Sequence, residues 1–170
     1  RAQAIYSVQY KRGSRFALHH PPAEAQRCRN CEFATCTRSC PAHVDVPGFV
    51  RAFADGDVAR AYDVLRDRNV LPEMCAYICP AEVQCEGGCL EKIFDECSLP
   101  IRDIQLVVSR IAREQGLVGV RLPSASSGRK IAVVGGGPAG LACAVRLLEK
   151  GHSVEILERN EHLGGTPQWV

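Results

Sequence analysis

The sequence predicts an α plus α/β chain built from two successive architectures. An all-helical domain occupies residues 1–122 and, beyond a linker at 123–129, the first β-α-β unit of an α/β domain occupies 130–170. Three observations carry this division. Apolar residues in the first stretch recur with a helical period, and no segment there alternates convincingly as a strand would. Residues 123–129, PSASSGR, form a Pro, Ser and Gly segment of linker type. Past it come a short β-branched run, a glycine-rich turn, an apolar-faced helix and a second short run, the order of a β-α-β unit.

Residues 47–68, PGFVRAFADGDVARAYDVLRDR, place Phe49, Val50 and Phe53, then Val58, Ala61, Tyr62 and Leu65, at helical spacing. The turn residues Asp55, Gly56 and Asp57 separate the two groups, so a helical hairpin is expected. A further amphipathic helix is expected in LPIRDIQLVVSRIAREQG. Ile101, Ile104, Val108 and Ile111 share one face there, Pro100 opens the helix and Gly116 ends it. Between these helices, Pro80, Gly87 and Gly88 predict a loop or short helical turns. After the linker, Lys130–Val134 and Ser153–Glu158 read as strands flanking a helix over 138–150.

Eight of the ten cysteines form two compact sets: Cys28, Cys31, Cys36 and Cys40, then Cys75, Cys79, Cys85 and Cys89. An iron-sulfur cube takes about four ligands, usually thiolates, on separate corners, and gaps of a few residues let one turning loop reach three of them. The Cys40-Pro41 ending has the form of two-cluster ferredoxins, in which the last cysteine of a run ligates the other cluster. Two 4Fe-4S clusters that exchange a ligand are therefore expected. The competing reading is a zinc-stabilised interaction domain fused to a degenerate nucleotide-binding segment. Zinc favours CxxC pairs, yet only Cys28 and Cys31 are so spaced and no histidine lies at a finger-like distance. Cys97 and Cys143 lie outside both sets and are expected to be small buried hydrophobes. His19, His20, His43, His152 and His162 are expected at the surface or in packing roles.

The composition, 46% hydrophobic and 24% charged with a net charge of +2, is ordinary for a globular chain and gives no argument for nucleic acid. Lys11, Arg12, Arg15, Arg27 and Arg29 make the N-terminal stretch locally basic, as a solvated face would be. The opening RAQAIYSVQYKRGSRF has no apolar signal-like region, and no stretch approaches the ~18 apolar residues of a membrane helix. No membrane partner is expected. A reduced, cytoplasmic setting with free thiols is expected instead of disulfides.

GGGPAG supplies Gly135-x-Gly137-x-x-Gly140 between a strand and a helix, with Pro138 and Ala139 at the helix start. Such a turn brings bare backbone against a pyrophosphate and aims a helix N-terminus at it. Glu158, at the end of the next strand, stands where an acidic side chain bonds a ribose hydroxyl. A dinucleotide site is expected. The run ERNEHLGG, with Gly164 and Gly165, resembles the glutathione-reductase-like flavoproteins, and that resemblance implies FAD.

Taken in order, the two cysteine runs, the phrase NVLPEMCAYICPAEVQCEGGC, CPAHVDVPGFV and the flavin-like fingerprint resemble the glutamate synthase small subunit and the N-terminal part of dihydropyrimidine dehydrogenase, over roughly residues 25–165. The resemblance implies a helical ferredoxin-like domain followed by the start of a Rossmann-type FAD domain. It further implies an NAD(P)H-dependent oxidoreductase in which electrons pass between flavin and a partner redox centre through two clusters. Carried over by residue, Cys28, Cys31, Cys36 and Cys89 would bind one cluster, and Cys40, Cys79 and Cys85 the other. The remaining corner falls to Gln105, sixteen residues after Cys89, or to Cys75. Gly135, Gly137, Pro138, Ala139, Gly140, Glu158 and Gly165 would hold the ADP part of FAD. Family members continue beyond the point where this chain reads GGTPQWV. The NAD(P)H site is thus expected in a missing domain, the chain is expected to be a fragment or one piece of a larger assembly, and a larger redox subunit or fused catalytic domain is the expected partner. A β-α-β unit of about 40 residues is too short to bury its own sheet.

Overall fold

The computed structural model describes residues 21–94 and 97–169. The chain divides into two compact units between Leu117 and Val118. The expectations for Lys11, Arg12, Arg15, His19 and His20 lie outside the described residues.

The first unit is helical. Its elements are α1 (Pro21–Gln26), α2 (Thr35–Ser39), α3 (Val46–Ala54), α4 (Val58–Arg68), α5 (Pro72–Ile78), a 3-10 turn (Ala81–Val83), α6 (Glu91–Phe94) and α7 (Ile101–Glu114). α3 and α4 form the expected hairpin. Asp45 caps α3 by accepting from the Gly48 N–H at 3.0 Å, Pro47 sits in its first turn, and Asp57 caps α4 by accepting from the Arg60 N–H at 2.9 Å. The apolar faces of α3, α4 and α7 meet in a core of Phe49, Val50, Phe53, Ala61, Tyr62, Leu65, Ile101, Ile104 and Val108. Pro100 cannot cap α7 with its side chain. Glu86, from the second cysteine run, supplies the acceptor for the Arg102 N–H at 3.0 Å.

In the second unit, β1 (Lys130–Val134) and β2 (Ser153–Leu157) pair in parallel with Lys130 opposite Ser153 and Val134 opposite Leu157, and α8 (Pro138–Glu149) connects them. A 3-10 turn covers Thr166–Trp169. The linker stretch bonds into this unit. The Ser127 N–H donates to the Gly151 carbonyl, Ser127 Oγ meets His152 Nδ1 at 2.6 Å, and the Ser153 N–H donates to the Arg129 carbonyl. Cys97 and Cys143, expected to be buried, are both exposed. Cys143 lies on the outer side of α8, where Ala144 takes the buried position. Among the described histidines, His43 and His162 are exposed and His152 is half-buried. No helix among the described residues is long and apolar enough to cross a membrane.

Candidate cluster and nucleotide sites

Local backbone geometry explains how the cysteines come together. Asn30 adopts a left-handed φ of 49°, a conformation Asn tolerates, and so turns the chain between Cys28 and Cys31. Cys40 and Cys79 each end a short helix, α2 and α5, in an extended conformation with ψ of 122° and 134°. A proline follows each, and its ring disfavours helical backbone at the residue before it. Cys28, Cys36, Cys40, Cys85 and Cys89 are partly buried against the hydrophobic core.

Thiols from both runs share one cavity, lined by Cys28, Cys31, Cys36 and Cys89 together with Arg29, Thr35 and Glu91. Cys89 has left its own run to join the first. Electrostatics groups the rest in the same way. Burial raises the Cys36 thiol to about 11, and Cys89, Cys28 and Cys31 push in the same direction. The Cys28 thiol is also raised, by burial first, against a lowering bond from the Asn30 backbone and with added repulsion from Cys31, Cys89 and Glu91. Cys79 rises to about 11 through burial and then Cys75, with a contribution from Cys40. Cys85 rises to about 12 through burial, Glu86 and Cys40. Burial, with repulsion from neighbouring anionic groups, favours the protonated form of Cys28, Cys36, Cys79 and Cys85, and a bound cation reverses that balance. Metal uptake at these positions therefore releases protons.

Among the described residues, no three His, Cys, Asp or Glu side chains converge tightly enough to grip a single ion. A cube with a ligand at each corner spreads its thiolates more widely than a tetrahedral zinc does. Cys28, Cys31, Cys36 and Cys89 line one cavity without converging that closely.

Gln105, half-buried on α7, donates from Nε2 to the Pro72 carbonyl at 2.7 Å, which ties α7 to the first turn of α5, the helix that carries Cys75. Glu73 on α5 pairs with Arg113 at 3.0 Å and with Arg110 at 3.8 Å, reinforcing the same contact. Cys75 lies one helical turn before Cys79 and helps to raise its thiol.

In the second unit, each fingerprint glycine has its own reason. Gly135 has φ +97°, a left-handed value that disfavours any side chain. A Cβ on Gly140 would lie 1.8 Å from the Gly135 carbonyl oxygen, so the helix packs too closely for alanine. Gly137, at the N-cap of α8, has no atom other than those of its chain neighbours within 4 Å of the space its Cβ would fill. That space opens before the helix N-terminus, where Pro138 and Ala139 form the first turn and backbone N–H groups have no helical partner. Glu158 accepts from the Gly136 N–H at 2.7 Å and from the Asn160 N–H at 3.0 Å, and these bonds lower its carboxyl below the usual range. The Gly164 N–H donates to the Gly136 carbonyl, and a Cβ on Gly165 would lie 3.1 Å from the Gly137 Cα. Gly165 thus packs against the glycine turn.

Sequence reasoning missed Arg29 and Glu91. Arg29 was expected on a solvated basic face, but it is half-exposed and paired with a buried carboxylate far along the chain. The one signal available was position: Arg29 lies between two cysteines, and Glu91 follows Cys89 by two residues.

Residues 10–117 match the family model for dihydropyrimidine dehydrogenase domain II, 4Fe-4S cluster, and residues 133–167 match an NAD(P)-binding Rossmann-like domain. The glutamate synthase (NADPH) small chain of Azospirillum brasilense is 33% identical over 152 residues, covering 89% of this chain and 32% of the relative. The NAD-dependent dihydropyrimidine dehydrogenase subunit PreT of Escherichia coli K12 is 34% identical over 142 residues, covering 84% of this chain and 34% of the relative. The chain spans about a third of the length of the curated relatives it matches.

Proposed function

We propose, since the chain belongs to the dihydropyrimidine dehydrogenase domain II 4Fe-4S cluster family, that it is the electron-transfer module of an NAD(P)H-dependent FAD and iron-sulfur oxidoreductase. The observation that carries this reading is the cavity shared by Cys28, Cys31, Cys36 and Cys89. These residues would hold one 4Fe-4S cluster, and Cys40, Cys79 and Cys85, with Gln105 in preference to Cys75, would hold the second. When bound, FAD accepts hydride as an electron pair and iron-sulfur clusters carry electrons singly. The protein's part is positional. Half-buried thiols keep solvent away, and the Gln105–Pro72 bond fixes α7 beside α5.

Domain roles follow the same division: 1–122 for the clusters, 123–129 as linker, and 130–170 for the nucleotide. Gly135, Gly137, Pro138, Ala139 and Gly140 would cradle the FAD pyrophosphate, with Glu158 at a ribose hydroxyl and Gly165 closing the turn. For Glu158 to serve the ribose, its bond from the Gly136 N–H must be shared or exchanged. NAD(P)H would bind a further domain. The acceptor would be a larger redox subunit or a fused catalytic domain, in keeping with the words "small chain" and "subunit" in the relatives' names. Thiolate-held clusters suit a reducing, cytoplasmic setting.

Iron and acid-labile sulfide analysis of anaerobically purified protein, with its visible spectrum, tests the reading. About eight irons and about eight sulfides per chain are expected for two 4Fe-4S clusters. Two colourless zinc ions without labile sulfide would overturn it in favour of a zinc-stabilised interaction domain.

A further inference from the structure

The residues on either side of Cys89 are gripped by the first cysteine run. On one side, the Gly88 carbonyl accepts from the Thr35 hydroxyl. Gly88 is also packed so closely that a Cβ there would lie 2.5 Å from Ser39 Oγ and 3.0 Å from the Thr35 carbonyl oxygen. On the other side, Glu91 is only 5% exposed and accepts from Arg29 Nε at 2.7 Å and, more weakly, from Nη2 at 3.4 Å. The Arg29 guanidinium lies over the Phe94 ring, 4.1 Å from its centroid. Arg29, Thr35 and Glu91 all line the cavity that holds Cys28, Cys31, Cys36 and Cys89.

We infer that Arg29, Thr35 and Glu91 form a clasp that carries Cys89 across to the first run, and that the Arg29–Glu91 pair balances charge beside that site so that its two members bias the cluster potential in opposite directions. The inference rests on the reading that these four cysteines hold a cluster. A surface ion pair contributes little, but Glu91 is not at the surface. A buried carboxylate is costly unless paired, and the cost rises beside an anionic set of thiolates. Arg29 removes it. Cluster potential depends on net charge, hydrogen bonding and solvent exposure. With the Arg29 charge gone, an uncompensated carboxylate opposes the incoming electron and the potential falls. With the Glu91 charge gone, the guanidinium favours the electron and the potential rises. Glu91 is buried and Arg29 half-exposed, so solvent and salt screen Arg29 more. The Glu91 effect is therefore the larger.

Redox titration followed by electron paramagnetic resonance, on the anaerobically purified holoprotein, reads this directly. Arg29→Met keeps the aliphatic stem over Phe94, and Glu91→Gln keeps the carboxylate's shape. One cluster signal is expected to move to lower potential in Arg29→Met, to higher potential in Glu91→Gln and back toward the parent value in the double variant, while the other signal stays in place. Simple loosening of the loop would move both single variants the same way. Same-direction shifts, no shift, or a shift of the other cluster would overturn the inference while leaving the two-cluster reading intact. If a single variant loses the cluster, its return in the double variant supports the pair, and continued loss overturns it. Thr35→Val removes a neutral contact and is expected to speed iron release to a chelator without moving the potential. An unchanged release rate would overturn the positioning role. A parent protein without labile sulfide would overturn the cluster reading itself and the clasp's redox role with it.

Discussion

Alanine at Gly140 and alanine at Gly137 are expected to fail in opposite ways, although the two positions lie in one turn. At Gly140 the new Cβ would sit 1.8 Å from the Gly135 carbonyl oxygen and 3.0 Å from its carbon. No side chain can rotate away to relieve a clash between backbone and Cβ, so α8 must move off β1. Overpacking of this kind costs about 1–3 kcal/mol or somewhat more, and the roughly 1 kcal/mol that Ala gains over Gly in a helix offsets only part of it. At Gly137 the backbone, with φ −73° and ψ −177°, is open to any residue and no atom other than those of its chain neighbours lies within 4 Å of the Cβ position. The protein alone should tolerate the change within about 0.5 kcal/mol. The pyrophosphate should not. Pushing it away from the turn forfeits at least one charge-assisted hydrogen bond, about 1.5–3 kcal/mol, or about 10–100-fold in FAD affinity. Leucine at Gly137 should abolish binding. Thermal unfolding, FAD titration and iron content, measured on each variant of the holoprotein, separate the cases. FAD affinity unchanged in both Gly137 variants would refute the pyrophosphate placement, and a Gly140→Ala protein as stable as its parent would refute the steric argument. Iron lost together with flavin in Gly137→Leu would refute the proposed division between cluster and nucleotide domains.

Cys75→Ser should retain both proposed clusters, while Gln105→Ala should perturb the resonance signal of the one proposed to use Cys40, Cys79 and Cys85 as well; the reverse pattern would assign the corner to Cys75. Phe49→Ala empties a fully buried position in the helical core and should destabilise that unit by about 3–5 kcal/mol, read as a lower denaturant midpoint with an unchanged slope. Glu158, whose carboxyl is held low by the Asn160 and Gly136 N–H groups, stabilises the phosphate turn above the ordinary carboxylate range. That contribution is lost as pH falls through its own depressed value. An NMR titration of the Glu158 side chain without nucleotide should show a midpoint below that of an unstructured glutamate, and an ordinary midpoint would refute the two bonds.

The long elements were legible because periodicity has room to express itself. The α3–α4 hairpin, α7 and the β-α-β unit fall where Phe49, Leu65, Ile104 and the KIAVV and SVEIL runs place them. Short helices were not. α1 and α2 are too brief to nucleate by propensity and depend on packing against residues distant in sequence, while α5 falls in the stretch where a loop or short helical turns were expected. The cysteine spacing pointed to two metal centres, and one cavity brings Cys89 of the second run to Cys28, Cys31 and Cys36 of the first. The Arg29–Glu91 pair could not be read in advance, because nothing local in either residue's surroundings names the other. Exposure of Cys97 and Cys143 was missed for a related reason. Cysteine's general preference for burial set the expectation, and at both positions the face that the fold presents overrides it.

The crossing of Cys89 into the first run also constrains synthesis. A ribosome has made Cys28, Cys31 and Cys36 long before it reaches the residue that completes their cavity. At about 5–20 residues per second, the nascent chain carries three exposed thiols for several seconds with no means of closing the site. On the proposed ligand sets, neither cysteine run is a self-sufficient unit that could be transplanted or truncated alone, and cofactor loading would wait until translation has passed both.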